Sequence, residues 1–234
     1  MINGIQIEIC CGSYDDVLRA CAIPEVDRIE LNCALELGGL TPSCSLMRAA
    51  RKATDKKIIA MVRPRPAGFC YTETEKEMMF ADAEVFLKNG ADGIVFGFLK
   101  EDGTVDETDT RRMAELIHSY QKEAVFHKAF DAARDPFASI ETLLACQIDR
   151  ILTSGKEASV IPGIPLLKNL QEKYGSRIEI LPGGGVNEAN ALQTVKETGI
   201  RQLHMSAKSS FHDLEDYYAV DAGKIRDVLH TLAE

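Results

Sequence analysis

Two short runs near the start of the chain put ionisable side chains where a sheet interior usually holds aliphatic ones. In Ile5-Gln6-Ile7-Glu8-Ile9-Cys10 the isoleucines share one strand face and Gln6, Glu8 and Cys10 share the other. In Asp27-Arg28-Ile29-Glu30-Leu31-Asn32 the same alternation sets Ile29 and Leu31 against Arg28, Glu30 and Asn32. Lys57 to Pro64 offers Met61 and Arg63 in this way, with Arg65 just beyond, while Glu123 to His127 ends on His127. Arg201 to Ser206 offers Gln202, His204 and Ser206.

Gathered in one interior, these groups suit proton transfer. Glu8, Glu30, His127 or His204 could move a proton while Arg63 holds developing negative charge. A like pair such as Glu8 and Glu30 would push one carboxyl upward. An inert salt-bridge layer would also fill the space, but an apolar layer would do so with less desolvation.

Such residues meet only if their strands are neighbours around a ring. The runs at residues 5–10, 27–32, 57–64, 92–98, 123–127, 150–153, 177–181 and 201–206 alternate with helical patterns along the whole chain. Helix starts are readable at Ser13 with Asp16, at Thr41-Pro42, at Thr72 with Glu75 and at Asp135-Pro136. Further helices are expected over 108–120, 165–174, from about Asn187, and over 221–233. The third helix is expected to bury Met78, Met79, Val85 and Phe86 on one face. Eight such units predict a closed parallel (β/α)8 barrel, the TIM fold, as one domain over 1–234. An open doubly wound sheet would carry G-x-G-x-x-G after its first strand, where this chain has Cys11-Gly12-Ser13. In a barrel the inward residues of the eighth, first, second and third strands are ring neighbours. His204, Glu8, Glu30 and Arg63 then follow one another, two carboxylates between two basic groups, which suggests a compensated network.

The loops after the strands carry a second set. Gly183-Gly184-Gly185 and Ser206-Ala207-Lys208-Ser209 follow the seventh and eighth strands, where barrels commonly bind phosphate through backbone N–H groups. Gly184, Gly185 and Ser206 are the candidate anion contacts there, and Arg63 and Arg65 could add charge for a carboxylate or phosphate. For a metal, Cys10 is the best thiol, with Cys70, Met61, Met205 and His204 as candidate partners for soft Cu(I). No C-x-x-C or H-x-x-x-H spacing marks a zinc site.

Composition bounds the rest. The net charge of −9 argues against a nucleic-acid partner. No apolar run reaches the ~18 residues a membrane span requires, and no signal peptide is visible at Met1-Ile2-Asn3-Gly4. Seven irregularly spaced cysteines suit reduced thiols, so a cytoplasmic protein is expected.

Six segments in order resemble the CutC copper-homeostasis family. They are Asp27-Arg28-Ile29-Glu30-Leu31, Gly38-Gly39-Leu40-Thr41-Pro42-Ser43, and Arg63-Pro64-Arg65-Pro66-Ala67-Gly68-Phe69. Later come His127-Lys128-Ala129-Phe130-Asp131, Leu152-Thr153-Ser154-Gly155 and Pro182-Gly183-Gly184-Gly185-Val186. The resemblance implies a cytosolic barrel, a homodimer or higher homo-oligomer, linked to copper tolerance or Cu(I) binding. It carries the family's polar strand-end residues onto Glu8, Arg28, Glu30, Arg63, Arg65, His127, Asp131, Thr153, Ser154 and His204. Two departures stand out. Asn32 occupies a position where family members often have Cys, and Lys128 stands where Arg is usual. The alternative to a copper protein is an enzyme acting on a small phosphorylated or carboxylate metabolite. The stretch 211–218, with Phe211, Leu214, Tyr217 and Tyr218, is expected to cover a barrel end or meet a partner subunit.

Overall fold

The computed structural model describes residues 1–233. Its eight parallel strands are β1 (Gln6–Cys11), β2 (Arg28–Leu31), β3 (Lys57–Met61), β4 (Gly93–Phe96), β5 (Glu123–Phe126), β6 (Arg150–Thr153), β7 (Glu179–Pro182) and β8 (Gln202–Met205). From β1 to β7 each strand pairs with the next in the chain, and β8 pairs with β1. The seam between β7 and β8 is held by a parallel bridge from Gly183 to His204 and by Gln202 Nε2 donating to the Ile180 carbonyl at 3.1 Å. The result is a nearly closed (β/α)8 barrel.

The helices outside it are α1 (Tyr14–Cys21), α2 (Cys44–Ala53), α3 (Glu73–Lys88), α4 (Glu107–Ser119), α5 (Ala129–Ala132), α6 (Pro136–Ala145), α7 (Val160–Tyr174), α8 (Ala191–Thr198) and α9 (Ala222–Ala233). Among the described residues, no helix is long and apolar enough to cross a membrane.

Strand alternation divides the apolar residues into two sets. Ile7, Ile9, Ile29, Leu31, Ile58, Phe96 and Phe126 belong to the large core between strands and helices, with Val17, Met47, Phe86 and Leu167. Inside the ring, Ile59, Met61, Val95 and Val125 form a small separate cluster from β3, β4 and β5. The lumen is therefore apolar at that level of β3 to β5, while β8, β1 and β2 supply His204, Glu8, Arg28 and Glu30, and Arg150 of β6 pairs with Glu123 of β5 and Glu179 of β7.

Several element starts differ from expectation. Ser43, not Thr41, caps α2, accepting from Leu46 N at 3.1 Å; Thr41 Oγ1 instead accepts from Arg63 N at 2.9 Å and so ties the β2 loop to the end of β3. Asp106 caps α4. α7 begins at Val160 and carries Pro165 within it, so the proline lies in the second turn and not at the first position. Asn187 to Asn190 form a turn ahead of α8, in which Asn187 N donates to Asn190 Oδ1 at 2.9 Å. In α3 the buried face comprises Met79, Phe80, Ala83, Phe86 and Leu87. Met78 and Val85 lie outside that stripe and are exposed.

The stretch after β8 is a hairpin that the sequence reading did not resolve, β9 (Lys208–Asp213) and β10 (Glu215–Val220). Its base is anchored to α1: Val220 N donates to Asp16 Oδ1 at 2.7 Å, and Arg19 Nη1 donates to the Val220 carbonyl at 3.1 Å. Leu214 turns the hairpin with φ +62° and is exposed, as is Tyr218.

Candidate functional site

At the C-terminal ends of the strands lies a cavity of about 580 Å³. Cys10, Glu30, Arg63, His127, Lys128, Gly184, Gly185, His204, Ser206 and Lys208 line it, together with Leu35, Met61, Phe69 and Leu152.

Parallel pairing between neighbouring strands sets its floor. The register places Glu8 opposite Arg28 on one side and His204 on the other, and Cys10 opposite Glu30. Arg28 Nε donates to Glu8, Nη1 to Gln6 Oε1 at 3.0 Å and Nη2 to Gln202 Oε1 at 2.7 Å. The expected anion contact at Arg28 is thus a buried partner of Glu8 below the cavity. Its guanidinium donors are already directed at the protein's own acceptors. Glu8 sits beneath the floor for the same reason.

Burial by itself would raise the Glu8 carboxyl. The Arg28 guanidinium and the hydrogen bond from His204 outweigh it and hold the group well below the usual carboxylate range. His204 Nδ1–H donates to Glu8 Oε1 at 2.7 Å, which leaves Nε2 as the nitrogen free for a ligand. Burial alone would lower the His204 imidazole, but Glu30 and Glu8 hold it above its ordinary value.

Above this pair, Glu30 Oε2 accepts from Asn32 Nδ2 at 2.8 Å and from Cys10 Sγ at 3.5 Å. Asn32 Nδ2 also lies 3.4 Å from Cys10 Sγ. One donor atom from each of Cys10, Glu30 and His204 lies within 4.8 Å of the others, all three residues being buried. Burial pushes the Glu30 carboxyl up, and the Glu8 charge adds to that push against His204 and the Asn32 and Cys10 contacts. Burial and Glu30 likewise push the Cys10 thiol well up. The sequence places Asn32 on the inward face with Glu30 and marks a departure there from the family's Cys. It could not show that the amide bridges the thiol and the carboxylate.

Arg63 and His127 occupy the opposite side. Arg63 donates to the carbonyls of Leu37, Gly38, Gly39 and Ala67 at 2.9–3.3 Å. Gly38 and Gly39, at φ +88° and +84°, let the chain curl so that these carbonyls converge on one guanidinium. Among the described residues Arg63 therefore forms no ion pair and stands outside the compensated network expected of it.

His127 Nδ1 accepts from Ala129 N at 3.1 Å, so Nε2 carries the proton. Burial and the Arg63 charge push the ring down to about 3. A neutral imidazole with its acceptor nitrogen occupied is a hydrogen-bond donor here and not the expected general base. The ring should stay neutral from pH 8 to about pH 4. Its carbon-bound proton resonances, followed by NMR, should therefore remain constant over that range, and a titration centred near pH 6.5 would refute this electrostatic account.

The remaining candidates fall outside the cavity lining. Arg65 is drawn away by Glu75 at 2.5 Å and by the Cys70 carbonyl at 2.8 Å, and so braces its loop against α3. Asp131 accepts from Thr153 Oγ1 at 2.5 Å, Ser154 Oγ at 2.9 Å and Lys156 N at 3.0 Å, fastening the end of β5 to that of β6. Cys70 is exposed and apart from Cys10. Lys128, noted in the sequence as a departure from the usual Arg, and Lys208, in the loop after β8, were not among the candidate contacts and do line the cavity.

An eight-stranded parallel barrel with buried ionisable residues at the C-terminal mouth defines the class of this molecule. The CutC family model matches residues 5–209, and the chain belongs to that family. It is 44% identical over 206 residues to a CutC family protein of Treponema denticola, covering 88% of this chain and 82% of the relative. It is 36% identical over 208 residues to the human copper homeostasis protein cutC homolog, covering 89% and 75%. The crystal structure of a copper homeostasis protein CutC from Streptococcus agalactiae superposes with a TM-score of 0.80 at 31% identity, covering 86% of this chain and 98% of that one. A 3-hexulose-6-phosphate synthase from Salmonella typhimurium, 14% identical with a TM-score of 0.68 and covering 97% and 98%, shares the fold.

Proposed function

We propose that this chain binds copper as Cu(I) at the floor of the mouth, through the Cys10 thiolate and His204 Nε2, with Glu30 as a third contact. The observation that carries the reading is that one ligand atom from each of Cys10, Glu30 and His204 lies within 4.8 Å of the others. A thiolate and an imidazole are donors Cu(I) accepts readily, whereas a carboxylate is a harder ligand, so Cys10 and His204 are the stronger pair. Met61 also lines the cavity and brings a thioether to it. The support behind His204 fits a metal ligand: a carboxylate accepts the Nδ1 proton, and that carboxylate is itself held by Arg28. Asn32, at the position where the family resemblance implies Cys, leaves Cys10 as the one thiolate proposed to face the ion.

The membership in a copper-homeostasis family supports the same reading. We further propose a reducing, cytoplasmic location, consistent with seven free thiols, and self-association through the exposed hairpin around Leu214 and Tyr218.

Anaerobic titration with Cu(I) against bathocuproine tests the copper site directly. One ion per chain is expected to resist the competitor. Retention no greater than that of a protein without thiol ligands would remove the proposal.

A further inference from the structure

The cationic wall of the cavity takes no part in copper binding. Arg63 is 7% exposed, and among the described residues it forms no ion pair. Its four carbonyl contacts cancel no net charge, and its Nε has no hydrogen-bond acceptor within normal distance, although the Tyr71 hydroxyl, also without a close partner, lies beside the guanidinium. The other buried arginines are treated differently: Arg28 faces Glu8, and Arg150 faces Glu123 and Glu179. A buried guanidinium without a carboxylate is costly unless something else supplies the negative charge.

A second orphan lies nearby. His127 is 3% exposed, and its Nε2–H has no acceptor. Phe69 stands between the two groups, with Arg63 Cζ 5.1 Å from its ring centre and the His127 ring 5.0 Å away. Lys128 and Lys208 bring two more positive charges to the same cavity; Lys128 is shared with Asp131 at 3.6 Å. The cavity volume far exceeds that of a simple ion, and Met61 and Phe69 give it an apolar floor on this side.

We propose that this wall binds a small organic anion, a carboxylate or phosphate monoester, whose oxygens accept from Arg63 Nε–H and His127 Nε2–H while its carbon part rests on Met61 and Phe69. The complementarity is chemical. Both orphan groups are donors, one of them charged, and carboxylate and phosphate oxygens are acceptors that carry the missing charge. The two donors stand at the ends of β3 and β5, and the glycine loop after β7, where a barrel's phosphate is commonly held, lines the same cavity.

The test uses the metal-free full-length chain, so that its outcome is independent of copper binding. Benzoate, phenyl phosphate, inorganic phosphate and neutral benzamide are titrated by calorimetry and by NMR of the ¹⁵N-labelled histidine rings. Benzoate or phenyl phosphate is expected to bind and to move the His127 Nε2–H resonance, and the tighter of the two identifies the head group. Arg63→Lys, which keeps the charge but loses the Nε–H, is expected to weaken binding about tenfold. The wild-type resonance requires no variant to fold. An unmoved His127 resonance at saturating anion overturns the proposal, and so does benzamide binding as tightly as benzoate. Inorganic phosphate binding as tightly as both organic anions overturns the organic-ligand assignment.

Discussion

Arg28→Met is expected to lower the unfolding free energy by about 3–5 kcal/mol, because it leaves a buried carboxylate without its cation. Arg28 and Glu8 are 2% and 3% exposed, and the Arg28 guanidinium also serves the side-chain carbonyls of Gln6 and Gln202. Water cannot replace what is removed. The double variant Glu8→Gln/Arg28→Met should recover a good part of the loss, since the uncompensated charge goes with the carboxylate.

The pH dependence has a definite sign. Burial pushes the Glu8 carboxyl up, but Arg28 and His204 reverse that and hold it below its unfolded value near 4.5. Its contribution is therefore fully present above that value and is lost as pH falls through the lower folded one. Wild-type stability should decline on acidification through the carboxylate range, and Arg28→Met should flatten that limb. Urea unfolding at pH 7 and pH 4 measures both effects. A loss below about 1 kcal/mol at pH 7 would mean that the pair is not the buried ion pair described here.

Cys10→Ser is expected to reduce Cu(I) affinity by more than about a hundredfold. Disturbing only the outer contacts of a metal site already costs about 10–100-fold, and this change removes the softest ligand itself. The wild-type affinity should also rise steeply with pH. Burial and the Glu30 carboxylate keep the thiol protonated well above its ordinary range, so the ion must displace a proton throughout the neutral region. The thiol proton alone means about tenfold tighter binding per pH unit, or about a hundredfold between pH 6 and pH 8, and the raised His204 imidazole adds to the slope wherever it is protonated. Competition titrations at those two values measure the slope, and the serine variant should lose the thiol's share of it. Equal affinities for the wild type and the variant would place the copper elsewhere.

The polar lumen was legible in the sequence because strand alternation is local. Isoleucines at 5, 7 and 9 direct Glu8 and Cys10 inward whatever else the chain does, and Ile29 and Leu31 do the same for Glu30. Helix caps at Ser13, Thr72 and Asp135 were readable for a similar reason, since each is satisfied within four residues. Thr41-Pro42 misled because Thr41 has a better use. Its hydroxyl accepts from Arg63 N, 22 residues away, and no local pattern contains that bond. The hairpin after β8 was not legible because the exposed residues of β10, Glu215 to Tyr218, lack an apolar alternation.

Unaided, the chain of residues determined the barrel, the order of its strands and which ionisable side chains enter it, because periodicity and capping act over one to four residues. Partner choice belonged to the tertiary structure. Strand register set Glu8 level with Arg28 and His204, which lie 20 and 196 residues away. A carboxylate that the sequence set beside another carboxylate is thereby stabilised as an anion. The same long-range packing surrounded Arg63 with carbonyls in place of carboxylates and turned the His127 proton inward, since only folded neighbours decide where a donor finds its acceptor.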